Sequence, residues 1–240
     1  YHLLEGIFPK DHPYSWSTIG SMEDLDSASL DDVHEWFKKY YGPNNAVIVI
    51  AGDVDPDEVF EKVKKYFGDI KPSPPVNKMK DWTVRLDTDK SEIIKDDVPQ
   101  IRIHKAWGGP AFRDLDSDAL QLIDIILTSG KTSRLYNRLV YKDRIATDVD
   151  SYQFAGDIGG FYYIQASVQP GGDHEAVKSA INDEINRFIE DGPTKAELRR
   201  AKMKLTSGFI RGTEKVGGFG GKSDILAQNA VYTGDPGFYK

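Results

Sequence analysis

The stretch Tyr40–Val54, YYGPNNAVIVIAGDV, constrains this chain more than any other, because it ties two amphipathic helices to an apolar run too short to be a helix. Ahead of it, Leu30, Val33, Trp36, Phe37, Tyr40 and Tyr41 recur at helical spacing behind Ser29, which can cap the helix with Asp32 at N3. Ala46–Ala51 is an unbroken run of small and branched residues between Asn44-Asn45 and Gly52-Asp53, and it reads as an interior strand. After it, Asp55 supplies a cap, Pro56 a first helical residue and Glu58 an early carboxylate. Val59, Phe60, Val63, Tyr66 and Phe67 then form a second apolar stripe, and Gly68 stops it. The local expectation is helix, strand, helix.

Three prolines among Pro72-Ser73-Pro74-Pro75 remove donors and fix φ, so residues 71–80 read as a linker between a first domain, 1–70, and a second, 81–240. Residues 1–28 alternate aromatic, proline, glycine and serine without a period and read as an irregular lead-in. Beyond the linker the pattern predicts strands at Thr83–Leu86, Glu92–Lys95 and Gln100–Trp107, with Ile101, Ile103 and Trp107 on one face. A helix follows over Asp114–Thr128, with Leu115, Ala119, Leu122, Ile123 and Ile126 turned inward and Asp116, Asp118 and Asp124 turned away. A further helix is capped by Ser133. Ala146–Phe154 and Phe161–Gln169 pair as a hairpin. A helix from Asp173 to Glu190 buries Val177, Ala180, Ile181, Ile185, Phe188 and Ile189, and Thr194 with Glu197 forms a capping box for the next. Irregular alternation with hairpin-like pairs gives an α+β class.

The chemistry is sparse. The 31 basic and 38 acidic residues are dispersed, with a net charge of −7, which argues against nucleic acid or an anionic membrane as partner. Cysteine is absent, which removes disulfides and thiolate metal sites, and no stretch approaches the ~20 apolar residues of a membrane span. The compartment stays open between a bacterial periplasm or cell envelope and the cytoplasm. GGFGGKS at 217–223 has Val216 where a phosphate loop needs its first glycine, and Ser129-Gly130-Lys131-Thr132 fails likewise through Ile125, so both read as connectors. His34-Glu35 opens like the zinc-protease pattern, but Lys38 stands at the second ligand position, and His2, His12, His104 and His174 form no ligand spacing. No catalytic and no metal-binding residue is therefore assigned.

The ordered series HPYSWSTIGSMEDL, SLDDVHEWFKKYYGPNNAVIVIAGDV and FEKVKKYFGDI resembles the last part of the catalytic domain in the pitrilysin/insulinase family of zinc metallopeptidases. SGKTSRLYNRLV, IATDV, GGFYYIQASVQPG and DGPTKAELRRAK resemble the following, non-catalytic domain of bacterial members. The resemblance implies a roll of mostly antiparallel sheet packed on helices, incomplete at its C-terminus, with paired halves enclosing a peptide chamber. Zinc and the inverted zinc motif belong to a parent protein, upstream of this chain, which starts without methionine and reads as a piece of something longer. Partners implied are a peptide substrate and the missing catalytic domain or a homologous subunit. The alternative is a structural scaffold subunit of the same fold without peptidase activity. The family's substrate-positioning arginine and tyrosine correspond here to Val140 and Thr147, a departure that implies either the second domain of a longer protease or a subunit that does not position the scissile bond.

Relatives such as the mitochondrial processing peptidase carry a glycine-rich, peptide-facing loop where Gly130, Lys131, Ser133 and Arg134 stand here. These four are the candidate substrate-binding residues, and a simple capped turn is the alternative. The closing TGDPGFYK resembles the point in a domain at which DHPYSW begins, so the chain covers about one repeat out of phase. The strand Ala46–Ala51 is then expected to add to the sheet of 100–107, 146–154 and 161–169, or to exchange into a second copy, giving a homo-oligomer.

Overall fold

The computed structural model describes residues 2–238, so Tyr1 of the lead-in and the last two residues of TGDPGFYK lie outside it. In chain order the elements are α1 (His2–Ile7), α2 (Met22–Ser27), α3 (Leu30–Tyr40), α4 (Pro56–Phe67), β1 (Arg102–Gly109) and α5 (Leu115–Leu127). A π-helical segment (Tyr136–Lys142), β2 (Ala146–Ala155), β3 (Gly160–Val168), α6 (His174–Asp191), α7 (Lys195–Glu214) and α8 (Lys222–Thr233) follow. Two compact units result. The residues up to Trp16 with Lys80–Thr206 form one, and Ser17–Met79 with the residues from Ser207 onward form the other.

The first unit is an antiparallel sheet of order β1-β3-β2 backed by helices, the α+β architecture expected. Its hairpin runs one residue later and earlier than predicted, Ala155 opposite Gly160, and Gly160 has a steric reason to be glycine: a Cβ there would lie 2.2 Å from the Phe154 carbonyl oxygen. Alternation sends Val149, Tyr162, Ile164, Ala166 and Val168 to one face, where they meet Leu127, Leu135, Leu139, Val177, Ala180 and Ile181 in the main core. Ile185 and Phe188 pack against this core as predicted, but Ile189 is exposed. On α5 the inward stripe is rotated from the expected one. Leu115 is 83% exposed, while Asp124, expected outside, sits beside β2 and accepts a 2.5 Å hydrogen bond from Ser151 Oγ, which in turn lies 2.6 Å from Thr128 Oγ1.

The opposite face of the sheet is read in rows across β1, β3 and β2: Arg102–Ser167–Asp148, His104–Gln165–Asp150, Ala106–Tyr163–Tyr152 and Gly108–Phe161–Phe154. The last row is covered by the N-terminal segment, with Phe8 edge-on to Phe161 and Tyr14 edge-on to Phe154. The lead-in is thus not irregular throughout, since it holds α1 and a 3₁₀ turn at Pro13–Ser15 that deliver these rings. Thr83–Leu86 and Glu92–Lys95 form no ladder, although the backbone near Val84 runs close against Gly108, which leaves no room there for a Cβ.

In the second unit both predicted helices form. Ser29 and Asp32 make a full capping box on α3, Asp55 Oδ1 accepts from the amides of Asp57 and Glu58, and Gly68 ends α4. The strand between them does not. Residues 46–51 belong to no sheet among the described residues, and Val47, Ile48 and Ile50 are each about half exposed, so the expected addition to the sheet is overturned. Periodicity marks a segment fit for a ladder, but only a neighbouring strand supplies its hydrogen bonds. The glycine stretch 217–221 is an organised turn leading into α8. The amides of Lys222 and Ser223 donate to the carbonyls of Lys215 and Val216, and the Gly220 amide donates to Asp224 Oδ2.

Candidate functional site

The turn from α5 to the π-helical segment holds the four candidate residues. Gly130 takes the left-handed φ of +89°, a conformation that favours glycine. Ser133 is fully buried, and both its amide and its hydroxyl donate to Gly130 O, at 3.0 and 2.6 Å. The hydroxyl is therefore a donor that closes the turn, not the acceptor cap expected from sequence. Lys131 is exposed.

Arg134 turns inward. Its Nε and Nη2 donate to the two carboxylate oxygens of Glu197 at 2.8 and 2.9 Å, Nη2 also donates to Gly192 O at 2.9 Å, and the guanidinium lies 5.0 Å from the centroid of the Phe188 ring. Glu197 at the same time accepts from the amide and hydroxyl of Thr194, completing the predicted capping box of α7. These bonds favour the charged form, so the Glu197 carboxyl is held down to about 2, with Arg134 the leading cause, and the Arg134 guanidinium is raised by Glu197. A cleft of about 630 Å³ opens beside this pair, lined by Thr132, Ser133 and Arg134 but not by Gly130 or Lys131. Its other guanidiniums are also partnered, Arg138 with Asp143, Asp183 and Glu184, and Arg187 with Glu184. The structure thus brings Ser133 and Arg134 to one cleft, with Arg134 in a charge-compensated network and Ser133 bonded to Gly130 O, and leaves Gly130 and Lys131 outside the cleft lining.

Sequence reasoning overlooked His12. It is fully buried, Nδ1 accepts from the Tyr14 amide at 3.0 Å, and Nε2 lies 3.1 Å from Trp82 O, so the assigned tautomer carries its proton on Nε2 and donates there. Phe8 stacks on it and Trp82 packs against it tilted by 50°, each with ring centroids 4.5 Å away. The density of aromatic side chains around His12-Pro13 was the available signal. Both ring nitrogens are occupied, His2, His34, His104 and His174 are exposed, and among the described residues no three His, Asp or Glu side chains are placed to hold a metal. Val140 lies in the π-helical segment against the core, and Thr147 Oγ1 bonds Asp148 and Ser167 O on β2 and β3.

Residues 27–205 match the model of the peptidase M16 inactive domain. The chain belongs to the M16 peptidase family. The M16 match agrees with the pitrilysin/insulinase resemblance and identifies the non-catalytic domain. This M16 chain is 29% identical over 228 residues to the zinc protease PqqE of Helicobacter pylori, covering 92% of the chain and 50% of that protein. Its fold is similar to the crystal structure of a protease from Helicobacter pylori, with a TM-score of 0.76 and 28% identity over 92% of this chain and 54% of that one. A peptidase M16 inactive domain from Pseudomonas fluorescens superposes with a TM-score of 0.77 at 19% identity, covering 99% of this chain and 55% of that one, a likeness of fold. The chain spans about half the length of the curated relatives it matches.

Proposed function

We propose that this M16 inactive domain forms the wall of a substrate chamber in a zinc metallopeptidase that hydrolyses peptides or unfolded protein segments, the zinc being held outside the described residues. The inactive-domain match over 27–205 carries the reading, and the zinc proteases among the relatives support it. In this reading 1–70 close a catalytic-type half-domain, 71–80 link, and 81–240 are the second domain. Apolar exposure supports a further domain or homologous subunit as partner: among the described residues, no buried hydrophobic side chain falls in Ser17–Met79 or beyond Ser207, while Trp36, Phe37, Ile48, Phe60 and Phe67 are exposed. A polypeptide that buries so little of its own apolar surface needs a cover, and a second copy pairing through residues 46–51 is the alternative cover. The turn Gly130–Arg134 is proposed to approach the peptide through Gly130 and Lys131, with Arg134 holding the turn. Val140 and Thr147, which lack the arginine and tyrosine chemistry of the resemblance, favour a second reading as a scaffold subunit.

Metal analysis and a peptidase assay test the proposal. The chain alone is expected to hold no stoichiometric zinc and cleave nothing, while the longer protein containing it cleaves unfolded peptides in a chelator-sensitive way. One tightly held zinc per chain with proteolysis by the chain alone would overturn it, and an intact, zinc-free and inactive longer protein would leave the scaffold.

A further inference from the structure

The half of the free sheet face that the N-terminal segment does not cover has a definite composition. Tyr152 on β2 and Tyr163 on β3 are directly paired, their ring centroids 6.0 Å apart and their planes tilted by 58°, and Tyr152 is 50% exposed. The neighbouring position on β1 is the small Ala106, and Tyr163 itself is partly buried. One row further, Asp150 is exposed and makes no hydrogen bond or ion pair among the described residues. Asp148, in the row beyond, accepts from the hydroxyls of Thr147 and Ser167. The face's cationic and imidazole groups, Arg102 and His104, stand on β1, two strand spacings or about 10 Å away. Charge is therefore segregated, carboxylates along β2 and Arg102 along β1, with the neutral row of β3 between them.

A half-exposed tyrosine ring and a second, partly buried one thus stand beside a carboxylate that makes no hydrogen bond or ion pair among the described residues. We propose that Tyr152, Tyr163 and Asp150 form a subsite for the cationic side chain, arginine or lysine, of an extended peptide, an inference that rests on the chamber-wall reading. The ring faces attract a cation through their quadrupoles, and Asp150 supplies the charge-assisted acceptor, for which a planar guanidinium is the better fit. The Asp150 carboxyl is raised by partial burial and then by Asp148, against a smaller opposing pull from His104 and Arg102 on β1, neither of which reaches it as a hydrogen-bonded partner. β2 is the outermost strand, so an extended peptide beside it projects alternate side chains over this face.

Fluorescence anisotropy on the full chain tests this with three dye-labelled nonapeptides of threonine and valine, identical except for a central arginine, lysine or norleucine. The arginine peptide is expected to bind about 10-fold more tightly than the norleucine peptide. Asp150→Asn and Tyr152→Ala, both at exposed positions and checked for unchanged melting, should reduce that preference at least fivefold, whereas Tyr152→Phe should keep most of it. Equal binding of all three peptides would overturn the cationic subsite while leaving a peptide-facing wall in place. Binding of none would remove both readings, and a preference that survives both substitutions would locate the cation elsewhere and overturn the assignment.

Discussion

Replacing Glu197 by alanine removes three things at once. It takes both carboxylate bonds from Arg134, the acceptor for the Thr194 amide, and the charge that offsets a guanidinium whose side chain is only 13% exposed. Stripping one partner from a fully buried pair costs about 3–5 kcal/mol, and the remaining solvent contact here, with the surviving bond to Gly192 O, lowers that to about 2–3 kcal/mol. Loss of the cap contributes about 1 kcal/mol. Because both effects share one carboxylate they do not simply add, and we expect about 3 kcal/mol overall. The pH dependence checks the origin. A carboxyl held at about 2 against an ordinary 4.5 contributes stability that is fully present above 4.5 and is lost as the pH falls toward 2. Urea unfolding followed by circular dichroism should thus show Glu197→Ala less stable than the parent at pH 7, with the gap narrowing as the pH falls from 4.5 toward 2. A double-mutant cycle with Arg134→Met should give a coupling of about 2 kcal/mol. A coupling below about 0.5 kcal/mol would put the pair with ordinary surface ion pairs and refute the reasoning.

Three further outcomes are expected. His12→Leu leaves the Tyr14 amide and the Trp82 carbonyl without partners and loses two ring contacts, so it should cost about 3 kcal/mol in urea unfolding; a loss under 1 kcal/mol would mean that the contacts do not persist in solution. Gly160→Ala should prevent the β2-β3 hairpin from closing and abolish cooperative melting, because the added Cβ meets backbone oxygens of both Phe154 and Pro110; a native-like melting curve would contradict the close approach. Asp124 is raised mainly by burial, so its charged form opposes folding as the pH rises through 3.8, and Asp124→Asn, which still accepts from Ser151, should raise the melting temperature at pH 7 but not at pH 3; an equal change at both pH values would deny that the charge is responsible.

What the sequence revealed and what it concealed divide by the range of the interaction. Caps at Ser29, Asp55 and Thr194 act within three residues of themselves, and each formed as read. The β2-β3 hairpin is equally local, since both strands and their turn lie in one short segment. Apart from the Ser133 cap, whose hydroxyl donates to the nearby Gly130 carbonyl instead, the failures are those that required knowing a distant neighbour. Ala46–Ala51 has strand composition but no adjacent strand, so its apolar side chains signal a missing cover, not a formed sheet. Asp124 was assigned outward by helical period, yet a hydroxyl from 27 residues away turns it inward. Arg134 was chosen for its place in the candidate loop, but its chemistry depends on Glu197, 63 residues on, which takes up its Nε and Nη2 donors. His12 depends on Trp82 across a gap of 70 residues, and no local pattern encodes that bond. A charged side chain on a candidate loop therefore says little until its partner is found. That distinction separates Arg134, whose donors are taken up by Glu197, from Asp150, which makes no hydrogen bond or ion pair among the described residues: by sequence both are polar residues near turns or strands, and only the folded arrangement places one in a bidentate pair and the other beside a pair of tyrosines.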